Sequence, residues 1–111
     1  MTAKQRGWTS VCRYADLAPG HGVAALVDGV QIAVFRTATG ELYAIGNRDP
    51  YSGEYLISDG VTGSRDGVPT VASPMYEHVF DLRSGTCLDD PTLALPTYPV
   101  RRYRGQVWVQ R

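Results

Sequence analysis

Ser73-Pro74-Met75-Tyr76-Glu77-His78-Val79-Phe80-Asp81-Leu82-Arg83-Ser84-Gly85 is the stretch that decides how this chain folds. A proline-containing loop runs into an alternating segment, Val79-Phe80 through Leu82. Arg83-Ser84-Gly85 then gives a turn signal, and Thr86-Cys87-Leu88 leads away. Such a pattern is a loop feeding a β-hairpin. Upstream, Val68–Ala72 has strand character and delivers the loop. Downstream, Asp89-Asp90-Pro91 breaks the chain, and the prolines of Leu95–Val100 confine that extended run to a sheet edge or a non-paired path.

Further out, the same short-strand rhythm holds. Trp8–Cys12 reads as a first strand, and Tyr14–Ala18 as one helical turn ended by Pro19-Gly20. Asp28-Gly29 lies between the apolar runs Val23–Val27 and Val30–Phe35. Asp-Gly there predicts a tight hairpin, because both central residues need positive φ. A turn at Ala38–Glu41 precedes the strand Leu42–Ile45, and a last hairpin turns near Arg104-Gly105. Gly46–Gly67 differs: it is polar, loop-rich, able to hold only brief extended pieces such as Glu54–Ile57 and Gly60–Thr62, and too long to be a mere connection, which marks it as functional or a relic of function. No segment shows sustained helical periodicity, so the spacing predicts an all-β sandwich or barrel of about nine strands.

The 111 residues fit one domain spanning 1–111, with residues 1–6 expected to fray. Hydrophobic residues at 43% allow an ordinary core without metal or disulfide. Val11, Val34, Ile45, Val71, Phe80, Leu82, Val107 and Val109 are its candidates. A formal net charge of zero argues against general nucleic-acid binding. No apolar run is long enough to span a bilayer. The start of the chain lacks the apolar core of a secretory signal, which makes the cytoplasm the expected location. Cys12 and Cys87 stand far apart without ligand spacing and read as packing residues.

Two loops carry whatever chemistry the chain has. The first is Ala44-Ile45-Gly46-Asn47-Arg48-Asp49-Pro50, and the second is the Ser73–Tyr76 loop. Their spacing, followed by Phe80-Asp81-x-x-x-Gly85, resembles the Rieske iron–sulfur domain. In that family a Cys-x-His loop and a Cys-x-x-His loop hold a two-iron cluster on a β-scaffold. The resemblance implies a small sandwich or barrel with the loop hairpins as an appended lobe. It places Asn47 and Ser73 at the cysteine positions, and Asp49 and Tyr76 at the histidine positions. Asn and Ser cannot supply the thiolates that the cluster takes. No cluster, no metal site and no catalytic residue are therefore expected in this chain.

Asn47-x-Asp49-Pro50, Val71-Ala72-Ser73-Pro74 and Phe80-x-Leu82-x-x-Gly85-x-Cys87-Leu88 are similar, in order and spacing, to one branch of the family. That branch comprises the small subunits of cytoplasmic NAD(P)H-dependent nitrite reductase, an enzyme of nitrogen assimilation. The resemblance implies an accessory, non-catalytic role beside a large subunit carrying FAD, sirohaem and an iron–sulfur cluster. The alternatives are a Rieske ferredoxin that carries electrons itself, and a cluster-free binding module of another oxidoreductase.

Residue by residue, Asp49 is expected to fix the backbone around Pro50 by an Asx-type hydrogen bond. Asn47 is expected to take a left-handed or turn conformation and to bond across its loop. Tyr76 either fills the place of a cluster or contacts a partner. His78 is expected to be a solvated strand-end residue. Arg48, Tyr51, Met75 and Tyr76 are candidates for the partner interface, with Arg101, Arg102 and Arg104 as the rival edge.

Overall fold

The computed structural model describes residues 7–75 and 77–111 in full, and residues 4 and 5 by their backbone. Three antiparallel sheets carry the fold. The first has the order β1-β2-β11-β10, from Lys4–Gln5, Trp8–Arg13, Gln106–Gln110 and Val100–Tyr103. The second has the order β3-β4-β5-β9, from His21–Val27, Val30–Arg36, Leu42–Gly46 and Thr97–Tyr98. A third, β6-β7-β8, comprises Val61–Arg65, Val68–Ala72 and Val79–Asp81. Single 3₁₀ turns lie at Tyr14–Asp16 and Ile57–Asp59. Lys4–Gln5 pairs with β2, Lys4 opposite Thr9 and Gln5 opposite Trp8. Among the described residues no helix is long and apolar enough to cross a membrane.

Strand β4 explains the layering. Ile32 and Val34 point to one side and pack with Val27, Ala44, Val107 and Val109 against the first sheet. Ala33 and Phe35 point to the other side and pack with Ile45, Ile57, Val71, Phe80 and Leu82 beneath the third. The middle sheet is thus covered on both faces, which is why β4 reads Ile-Ala-Val-Phe rather than apolar-polar. Each fully buried branched or aromatic side chain contributes about 1.5–3 kcal/mol relative to exposure. Gly22 lies opposite Phe35, and a Cβ there would collide with the ring. Seven of the eight core candidates are buried; Val11 is only half-buried at the margin. Cys87 packs in the core, while Cys12 is half-exposed.

The hairpins follow their turn chemistry. Asp28-Gly29 has φ of 49° and 81°, and Arg104-Gly105 has 51° and 75°, the paired left-handed geometry of a two-residue hairpin. A third such turn, Asp66-Gly67 at 52° and 80°, joins β6 to β7 inside the stretch expected to be loop. Strand β6 reads Val-Thr-Gly-Ser-Arg and is largely exposed, so it has no apolar alternation to announce it. Its Asp-Gly was the available signal. Leu95–Val100 does reach a sheet edge, as the two-residue strand β9.

Candidate functional site

Both loops spring from core strands. The first leaves β5 at Gly46, and the second leaves β7 after Ala72 and returns as β8. Asn47, Asp49 and Ser73 are all buried, at 2%, 0% and 2% exposure. They therefore face inward, where every polar atom needs a partner.

Each finds one. The Asn47 amide donates to Gln31 Oε1 at 3.0 Å, and its Oδ1 accepts the Ser58 N–H at 2.7 Å. Its own N–H and carbonyl bond to Gln31 and Ile57. Asn47 so bonds across the loop as expected, in a bend and not in the left-handed conformation, the other of the two forms expected. Asp49 Oδ1 accepts the Tyr51 N–H at 2.8 Å, the expected Asx-type bond over Pro50. Its Oδ2 accepts the Ser73 hydroxyl at 3.0 Å, joining the two loops. Backbone bonds from Asp49 N–H to the Glu54 carbonyl and from Gly53 N–H to the Asp49 carbonyl close the first loop. Bonds from Ser73 N–H to the His78 carbonyl and from Glu77 N–H to the Ser73 carbonyl close the second.

This arrangement does not fit a two-iron cluster. The space between the loops is crossed by the direct Asp49–Ser73 contact, and the donors present are an amide, a carboxyl and a hydroxyl rather than thiolate and imidazole. Among the described residues no three His, Cys, Asp or Glu side chains converge as a metal-binding group. Burial, then the nearby Asp16, pushes the Cys12 thiol pKa up, so it favours the protonated form that ligates and reacts poorly. The fourth position, Tyr76, and its expected packing lie outside the described residues.

The rim of the loops is apolar and aromatic. Tyr51, Tyr55 and Met75 are 59%, 56% and 64% exposed. Arg48 is exposed, donates to the Gly53 carbonyl at 3.0 Å, and lies 5.9 Å from the Tyr55 ring. A groove of about 320 Å³ beside the first loop is lined by Leu26, Gln31, Arg48, Tyr55 and Tyr98. His78 is not the solvated residue expected. It is half-buried, its ring 4.9 Å from Tyr51, and its Nδ1 is buried without a hydrogen-bond partner among the described residues. Sequence reasoning missed Gln31 and Ser58 as the partners of Asn47, because both are remote from it along the chain.

Asp89 and Asp90, where the chain breaks after the hairpin, have local work. Asp89 accepts the Val79 N–H at 2.9 Å and pairs with Arg65 at 3.2 Å, pinning the start of β8. The Val79 bond first, then Arg65, holds its pKa below the usual carboxylate range. A folded pKa below the unfolded value of about 3.9 gives a contribution present above about pH 4 that is lost as pH falls through the folded value. Asp89→Asn is expected to lower the melting temperature at pH 7, with the difference shrinking below about pH 3 in thermal melts.

The architecture is that of a Rieske-type β-domain with its two loops clasped by hydrogen bonds. Residues 7–110 match the family model of the Rieske-like [2Fe–2S] domain. The chain is 35% identical over 101 residues to the NADH nitrite reductase small subunit of Salmonella typhimurium, covering 90% of this chain and 94% of that one. A crystal structure from Mycobacterium tuberculosis, described as an NADH-dependent nitrite reductase small subunit, superposes with a TM-score of 0.91 at 42% identity, covering 100% of this chain and 96% of that one. The nitrite reductase [NAD(P)H] large subunit of Klebsiella oxytoca is 34% identical over 104 residues, covering 94% of this chain but 11% of that one. The chain belongs to the Rieske-like [2Fe–2S] domain family, among the nitrite reductase small subunits.

Proposed function

We propose that this chain is the non-catalytic small subunit of a cytoplasmic NAD(P)H-dependent nitrite reductase. Its partner is the large subunit carrying FAD, sirohaem and an iron–sulfur cluster, which reduces nitrite to ammonia. The observation that carries this reading is the Asp49–Ser73 clasp. It keeps the frame of a Rieske tip while occupying the place of the cluster with hydrogen bonds. A domain so built cannot relay electrons through its own metal, so its contribution is to dock, stabilise or regulate. Purification from the native host, with the partner identified by mass, tests this: a sirohaem-containing reductase is expected, and an unrelated oxidoreductase would contradict it.

The tip is the proposed partner face. Arg48, Tyr51, Met75 and Tyr76 are of the types enriched in interface cores, and the first three stand on the exposed rim of the clasp. Replacing Tyr51, Met75 and Tyr76 together by Ala is expected to weaken large-subunit binding by at least about tenfold and leave the domain folded. Unchanged affinity would remove the tip from the interface.

A further inference from the structure

The neutral chain is electrically divided. Between Gly46 and Pro96, the segment that holds both loops and the third sheet, there are eight acidic and three basic side chains. The remainder, which forms the two four-stranded sheets, holds three acidic and eight basic. A zero total thus conceals an uneven distribution of charge, and such asymmetry orients a molecule toward a partner of complementary charge.

Both tryptophans lie at the basic pole, on the side of the first sheet turned away from the core. Val107 and Val109 face inward, so Trp108 between them faces outward. Thr9 is buried, so Trp8 beside it also faces outward. On the neighbouring β10, Arg101 and Tyr103 share that face. The Arg101 guanidinium stacks 4.4 Å from the Trp8 ring and 5.8 Å from Tyr103, and Arg104 lies 5.3 Å from Tyr103. Trp108 donates to the Tyr103 carbonyl at 3.2 Å. Among the described residues neither Arg101 nor Arg104 has a carboxylate partner. Tyr103 is 50% exposed. Arg102 is different: it and Arg36 sandwich the Tyr14 ring at 3.9 and 4.1 Å, which ties β10 to the 3₁₀ turn.

We propose that the Trp8–Arg101–Tyr103–Arg104 face is a second docking surface, which takes an acidic surface of the large subunit. The proposal rests on the small-subunit reading above. Stacking holds the guanidinium groups of Arg101 and Arg104 in place before binding, which reduces the ordering cost of pairing them with carboxylates. Exposed Arg101, Tyr103 and Arg104 beside the half-buried Trp8 and Trp108 form the composition of an interface hot spot. The acidic opposite pole disfavours a nucleic acid, whose charge it would repel along its length.

The test measures binding of the purified large subunit to the wild-type chain, Arg101→Glu/Arg104→Glu and the milder Arg101→Gln/Arg104→Gln, over a series of salt concentrations. Near-ultraviolet circular dichroism checks that each variant is folded. Charge reversal is expected to weaken binding at least about tenfold at low salt and to flatten its salt dependence, with the Gln variant intermediate. Folded variants, reversed or neutralised, that bind with wild-type affinity and salt slope would overturn the proposal alone. A wild-type chain that binds no large subunit at any salt would overturn the small-subunit reading, and the proposal with it.

Discussion

Replacing Phe80 by alanine lowers the unfolding free energy by about 3–5 kcal/mol. Phe80 has no exposed surface, and its strand is held on both sides, opposite Val71 and bridged to Cys87. Its ring lies in the layer shared by Ala33, Phe35, Ile45 and Ile57, where the third sheet meets the middle one. The cavity left by alanine therefore opens between two sheets, neither of which can close without breaking its ladder. Domains of this size are stable by about 5–15 kcal/mol, so the variant sits near the threshold of folding. Urea unfolding reads the effect. Val11→Ala, at the half-buried margin, is the control and costs about 1 kcal/mol.

Asp49→Ala costs about 2–4 kcal/mol, an effect out of scale for a loop residue. The substitution strands the Tyr51 N–H and the Ser73 hydroxyl, both of which now end on Asp49. Ser73 is itself 2% exposed, so water cannot replace the lost partner without the loops parting. Asp49→Asn keeps an acceptor for Tyr51 and a polar group toward Ser73, and is expected to cost less. In a double-mutant cycle with Ser73→Ala, the coupling is expected at about 0.5–3 kcal/mol. Strict additivity would mean that the clasp does not join the loops energetically.

How far the chain could be read before its structure was seen depended on where each contact lay along it. Asp28-Gly29 and Arg104-Gly105 announce their hairpins because turn chemistry is local. So does the Asx bond from Asp49 to the residue two further on. Phe80 and Leu82 were legible as core from alternation, whereas Ile57, in a 3₁₀ turn within a polar stretch, was not. Strand β6 was legible only at its start, as the brief extended piece Gly60–Thr62, because an exposed edge strand needs no apolar face. The clasp was half visible. The resemblance to the Rieske loops singled out Asn47, Asp49 and Ser73, but that Asp49 meets Ser73, and Asn47 meets Gln31 and Ser58, depends on the packing of three sheets. For the same reason the charge division between the two poles is hidden in a net charge of zero.

Among the described residues the Asp49–Ser73 bond crosses the space between the two loops, and on the proposed reading the chain is expected to hold no iron there. Iron and acid-labile sulfide, determined together with the visible spectrum on the purified chain, test this most directly. The expected protein is colourless and contains neither in stoichiometric amount. Iron and sulfide in equal, stoichiometric amount with visible absorption, lost on mutating Asp49 or Ser73, would contradict the account.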